Sequence, residues 1–304
     1  MLVLEQTLNG IQFGVMLFLM AAGLTLVFGI MNVINLAHGS FYMMGAYICA
    51  WTFATTGSFF LGLAAALIGT LGIGVVIELS MFRSLYQRDH LDQVLVTFGL
   101  SLVFNDLVRL IWGPTALYAA PPHFLTGQVE ILPGLPYSAF RLAIVIVGLS
   151  VALLLYVLVT KTRLGMLIRA SASNRVMADA LGVNITLLYT VVFGLGAALA
   201  ALSGLMAGPI YTVASGMGDN VLILAFVVIV TGGIGSIRGA FIASLLVGIV
   251  DTMGRAFLSG LLAKFLEPAA ANNTGPAIAS MLIYVLMAAV LFFRPQGLFP
   301  PRAR

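Results

Sequence analysis

Charge is what this sequence has least of. Only 8% of its 304 residues are Asp, Glu, Lys or Arg, while 61% are hydrophobic. Soluble domains carry about 25% charged residues, so this chain cannot cover a globular surface in water. A surface facing lipid needs almost no charge, and that contrast excludes an ordinary water-soluble domain before any motif is read. Cysteine is nearly absent as well. The single Cys49 excludes an intrachain disulfide and a cysteine-rich metal site, and in its apolar stretch it reads as a small core residue. Lys161 and Lys264 are the only lysines. Neither closes a glycine-rich phosphate loop, so the chain cannot hydrolyse ATP by that route. No HExxH, no Ser/His/Asp pattern and no paired catalytic carboxylates stand out, which argues against an enzyme. The opening MLVLEQTLNG has no Lys or Arg, unlike the start of a signal peptide, so the first apolar run is expected to remain as a helix.

What the sequence does have is long apolar runs. A spanning helix needs roughly 20 mostly apolar residues. Runs at 10–31, 39–56, 60–81, 94–113, 139–160, 187–208, 222–250 and 276–293 read as spans. The run 222–250 is too long for one simple span and is broken by Gly232, Gly233 and Gly235. It reads as two segments with a turn, crossing twice or re-entering. The stretches between runs leave no room for a sizeable soluble domain. The expectation is an all-α polytopic membrane protein forming a single domain over 1–304, with about 8–9 transmembrane segments that include broken or re-entrant helices.

The net charge of +4 does not point to nucleic acid, because in such a protein the basic residues sit in loops and fix orientation. Arg83 and Arg88 form one group, Lys161, Arg163, Arg169 and Arg175 a second, and Arg294, Arg302 and Arg304 a third. The stretches 114–138 and 209–221 contain neither Lys nor Arg. The basic groups are therefore expected in the cytoplasm, with the N-terminus outside and the C-terminus inside. Glycine pairs such as Gly10/Gly14 and Gly204/Gly208 would let helix backbones approach closely in lipid.

Three segments could carry function. In Met31–Gly45, the polar Asn32, Asn35, His38 and Ser40 fall between two apolar runs without a long loop. Polar groups at membrane depth are costly unless paired or facing water, and broken helices often line transport pathways. A short capped cytoplasmic turn is the competing reading, and His38 alone could be an interfacial histidine. Thr231–Ala240, with Gly232, Gly233, Gly235 and Ser236, has the same small, polar character. Paired interruptions of this kind suggest an internal repeat. The loop 161–187 contains helix formers. Ser171 or Ser173 could cap a short helix through Met177–Leu181, closed by Gly182. Such a helix could dock on a partner or lie on anionic lipid. Asp106/Arg109 and Asp251/Arg255 are spaced as ion pairs on one helix face.

NVINLAHGSFYMMGAY, TRLGMLIRASASNRVMADALGV, GGIGSIRGA and the ending RPQGLF together resemble the branched-chain amino-acid ABC transporter permeases of the LivH type, from about Gly10 to Phe299. The resemblance implies a heterodimer with a second related permease, two cytosolic ATPase subunits that use the ATP, and an extracytoplasmic solute-binding protein. It implies no cofactor in this chain. It also implies that the 161–187 loop holds the helix coupled to an ATPase, which maps to Asn174, Arg175, Ala178, Asp179, Ala180, Leu181 and Gly182. Where the wider permease signature often begins Glu-Ala-Ala, this chain has Ala178-Asp179-Ala180. A urea or short-amide permease of the neighbouring branch is the alternative. An ion-coupled secondary transporter would need acidic residues at midspan, whereas Glu78 and Asp106 read toward helix ends.

Overall fold

Without water to take up backbone hydrogen bonds, an apolar run must satisfy its own N–H and C=O groups, and it does so as a helix. In the computed structural model, which describes residues 1–86 and 88–299, the runs become α1 (Leu2–Met31), α2 (His38–Thr56), α3 (Phe59–Ile77), α4 (His90–Trp112), α5 (Ala139–Lys161), α8 (Ile185–Ala207), α9 (Met217–Gly232), α10 (Ile237–Leu262) and α11 (Pro268–Phe293). Between α5 and α8 lie two shorter helices, α6 (Arg163–Ser173) and α7 (Arg175–Ala180). A π-helical turn, Glu78–Phe82, carries α3 on to Leu85. Among the described residues, seven helices are long and apolar enough to cross a membrane. The 19-residue α2 and the 16-residue α9 bring the bundle into the expected range. The expected turn inside 222–250 falls between α9 and α10. An antiparallel hairpin, β1 (Gln128–Leu132) with β2 (Leu135–Ser138), precedes α5. It has no counterpart in the sequence reading, because its alternation spans only a few residues.

α1 and α8 are the most buried spans and cross at the centre. Peripheral helices turn large side chains outward: Leu110 is 87% exposed and Phe292 82%. In water such exposure would be costly, but against hydrocarbon it is expected. Close packing rests on glycine as anticipated. A Cβ on Gly10 would lie 2.8 Å from the Cα of Ile249, and one on Gly14 would lie 2.7 Å from the Ser244 carbonyl.

The chain has two ends. At one lie Arg83, Arg88, Lys161, Arg163, Arg169, Arg175, Arg238 and Arg294, with the end of α1 and the start of α8; this is the basic face. At the other, the hairpin face, lie the start of α1, the β-hairpin and the end of α8. Arg302 and Arg304 fall outside the described residues.

The helix contacts and directions follow the pattern of an inverted repeat. α1 packs against α10 and α9, and α8 packs against α2 and α3. α1 runs toward the basic face and α8 away from it. The equivalent turns share their chemistry: Gly57 (φ 70°) then Ser58, and Gly235 (φ 81°) then Ser236, each serine capping the next helix by accepting a backbone N–H three residues on. The repeat thus pairs the segment between α1 and α2 with that between α8 and α9, residues 208–216. It does not pair 31–45 with 231–240. The latter is the counterpart of the turn at 57–58, and the two breaks share too little sequence to mark them as a pair.

Candidate functional site

α1 ends because Asn32 turns left-handed (φ 51°), its N–H still donating to the Phe28 carbonyl. Asparagine tolerates this conformation better than most side chains. The chain then runs without helix through Ala37, held where the Ile34 N–H donates to Oε1 of Gln93 at 3.3 Å, and α2 restarts at His38. Asn35, His38 and Ser40 are buried, and among the described residues their side-chain polar atoms have no hydrogen-bond partner. A solvated turn would leave them in water, so the segment is an interruption inside the bundle. Burying such groups unpaired costs about 1–3 kcal/mol each.

Just beyond the break, α2 meets the start of α9. Cβ atoms added at Gly39 or Gly218 would each strike the other's carbonyl, the first at 2.6 Å. α1 and α8 cross in the same way at Gly23 and Gly196, beside His38. Both restarted helices therefore begin against each other, backbone to backbone.

Gly232, Gly233, Gly235 and Ser236 lie at the basic face. Gly233 (φ 106°) and Gly235 need positive φ, and the Ser236 hydroxyl accepts from the Gly239 N–H at 3.1 Å. The C-terminal segment closes over the turn: the N–H groups of Leu298 and Phe299 donate to the Thr231 and Gly232 carbonyls, both at 2.9 Å. Gly235 lies against Gly29, so the turn abuts the end of α1.

In the loop 161–187, α7 is capped by Asn174, whose side chain accepts from the Met177 N–H at 3.0 Å. The expected cap, Ser171 or Ser173, is displaced because α6 extends through both. Gly182 (φ 87°) ends the helix, with the Val183 N–H donating to the Ala178 carbonyl. Ala178 faces inward, while Val176 and Leu181 are 79% and 78% exposed. The guanidinium of Arg175 lies 5.2 Å from the Tyr189 ring centre, and the Tyr189 hydroxyl donates to the Ile30 carbonyl at 3.3 Å. α7 is thus tied to the last turn of α1, next to the break. Nearby, buried Glu78 accepts from Thr190 at 2.6 Å and from Tyr86. Burial, then the bond to Glu78, pushes the Tyr86 phenol up, so it remains a protonated donor.

On the hairpin face, α1, α9 and α10 enclose a cavity of about 700 Å³. Nε of Arg255 donates to both oxygens of Asp251, at 2.9 and 3.0 Å. Arg141 donates to Asn9 on the facing wall. The pairing of Asp251 with Arg255 follows from the sequence, but the cavity does not, because its walls come from distant segments. By contrast Asp106 and Arg109 stand 3.8 Å apart and are both exposed, and Arg109 donates instead to Ser215 at 2.9 Å.

The model of the branched-chain amino acid transport system permease component family matches residues 6–291. The chain is 32% identical to the high-affinity branched-chain amino acid transport system permease protein BraD of Pseudomonas aeruginosa, over 97% of this chain and 95% of that protein. It is 33% identical to the corresponding LivH of Escherichia coli K12, over 84% and 87%. It is 26% identical to a probable LivH of Methanocaldococcus jannaschii, over 93% and 88%. No solved structure matches at a significant level.

Proposed function

The chain belongs to the family of branched-chain amino acid transport permease components, and from that premise we propose that it is the membrane-spanning subunit of an ATP-driven importer carrying branched-chain amino acids by alternating access. The observation that carries this reading is the end-to-end similarity to BraD, joined to a short helix at the basic face that leaves Val176 and Leu181 exposed. The basic face is cytosolic, which puts the N-terminus outside and the C-terminus inside the cell's inner membrane.

The working assembly pairs this chain with a second related permease. Two ATPase subunits in the cytosol hold and hydrolyse the ATP, and a solute-binding protein delivers cargo from outside. α7 and its flanks, Asn174, Arg175, Ala178, Asp179, Ala180, Leu181 and Gly182, dock on one ATPase. Movement of α7 reaches the end of α1 through Arg175 and Tyr189. Asn32, Asn35, His38 and Ser40 line the path where the helix is broken, and Gly232, Gly233, Gly235 and Ser236 form the hinge at its cytosolic end. A loaded binding protein supplies affinity, so the permease needs only a weak site whose occupancy shifts between two states.

The test is reconstitution of the chain with its co-encoded subunits and measurement of uptake. ATP-dependent leucine accumulation is expected. Preferential urea uptake would move the chain to the amide branch, and uptake without nucleotide would make it an ion-coupled carrier.

A further inference from the structure

We propose that the hairpin-face cavity is a low-affinity site for the zwitterionic head of a free α-amino acid, with the carboxylate on Arg255 and Arg141 and the ammonium on Asp251. This deepens the transport reading above and rests on it. Several independent features converge. The volume of about 700 Å³ is within the range of small-molecule sites. Its charged lining is two cations and one anion, a net positive charge that favours an anionic group. Asp251 is held by Arg255 through Nε alone, and its side chain is 7% exposed. The remaining nitrogens of that guanidinium have no protein partner among the described residues, leaving a planar two-donor edge suited to a carboxylate. Phe13, Leu17 and Val221 in the same lining supply apolar surface for a branched side chain.

The position also fits passage. Tyr42 and Met217 line the cavity, and they flank the Gly39–Gly218 crossing on α2 and α9. The unpaired Asn35 and His38 lie on the chain leading into that crossing from the basic face. A bound amino acid would rest on the crossing, with the next polar groups beyond it. Urea, lacking both charges, would leave the ion pair unanswered.

Thr252 lines the cavity, so a Thr252→Cys variant in a Cys49→Ala background reports on occupancy. The full complex with its co-encoded subunits is treated with a membrane-impermeant maleimide. L-Leucine is expected to slow labelling about tenfold at about ten times its Kd. 4-Methylpentanoate, lacking the ammonium, isoamylamine, lacking the carboxylate, and urea are expected not to. Arg255→Gln should remove the protection, read as the ratio of that variant's own labelling rates without and with leucine, and Arg141→Gln serves if that variant fails to assemble. Labelling that no amino acid slows, in a complex that accumulates leucine, overturns the site and leaves the transport function standing. Slowing by an amino acid other than leucine, in a complex that does not accumulate leucine, supports the site and overturns the branched-chain assignment. Equal slowing by the amine or the acid alone overturns zwitterion recognition.

Discussion

Two glycines set how closely the broken helices approach. At Gly39 and Gly218 the backbones of α2 and α9 touch, and a methyl on either residue would press on the other's carbonyl. Neither obstacle is a flexible side-chain tip, so the helices must separate, and overpacking of this kind costs about 1–3 kcal/mol. Gly39→Ala and Gly218→Ala are therefore expected to lower the unfolding midpoint of the detergent-solubilised protein by several degrees. Gly72→Ala, whose added methyl meets nothing within 4 Å, should leave it unchanged. Equal midpoints for all three would show that the crossing is looser than described. At this scale the sequence spoke unevenly. Asn35, His38 and Ser40 stand out because polar residues are scarce in so apolar a chain. The partner of Gly39 was illegible, since nothing local distinguishes a glycine that meets another backbone from one that faces lipid.

Among elements, α7 is the one whose stability depends least on packing and most on its cap. It is six residues long, and so short a helix is marginal by itself. The Asn174 side chain satisfies one of its free N–H groups, and replacing such a cap by alanine costs about 1 kcal/mol. Asn174→Ala is expected to reduce substrate-stimulated ATP hydrolysis by the assembled complex several-fold, with Asn174→Ser restoring it and basal hydrolysis unaffected. A wild-type response from Asn174→Ala would remove α7 from the coupling path. Tyr189 offers a second test, because its ring and its hydroxyl act on different partners. Tyr189→Phe keeps the stacking of Arg175 and loses the bond to the Ile30 carbonyl; Tyr189→Leu loses both. Uptake per ATP hydrolysed should fall modestly in the first and severely in the second, whereas equal ratios in both would mean that Tyr189 transmits nothing. The existence of α7 was legible from Gly182 and the helix formers before it. Its cap was not, because Ser171 and Ser173 are as good N-caps as Asn174, and only the extent of α6 decides among them.

For the molecule as a whole, the governing fact is the inverted repeat, since it gives one chain two half-bundles of opposite direction around a shared crossing. The long spans were legible because hydrocarbon imposes a length on every helix, and Gly232, Gly233 and Gly235 marked the turn that ends α9, while the match between the two breaks required three-dimensional contacts. The repeat makes each half structurally able to face either side, so orientation must come from charge. Arg83, Arg88, Lys161, Arg163, Arg169 and Arg175 gather on one face, and retention of Lys and Arg in the cytosol would fix that face inside. Val176, exposed on α7, and Leu132, exposed on the hairpin, lie at opposite ends of the bundle. In a Cys49→Ala background, Leu132→Cys is expected to react with an impermeant maleimide in intact spheroplasts. Val176→Cys should react only after the membrane is opened. The reverse pattern would invert the molecule: α7 would lie out of reach of a cytosolic ATPase, and the cavity holding Asp251 and Arg255 would open inward, making it a point of release and not of entry.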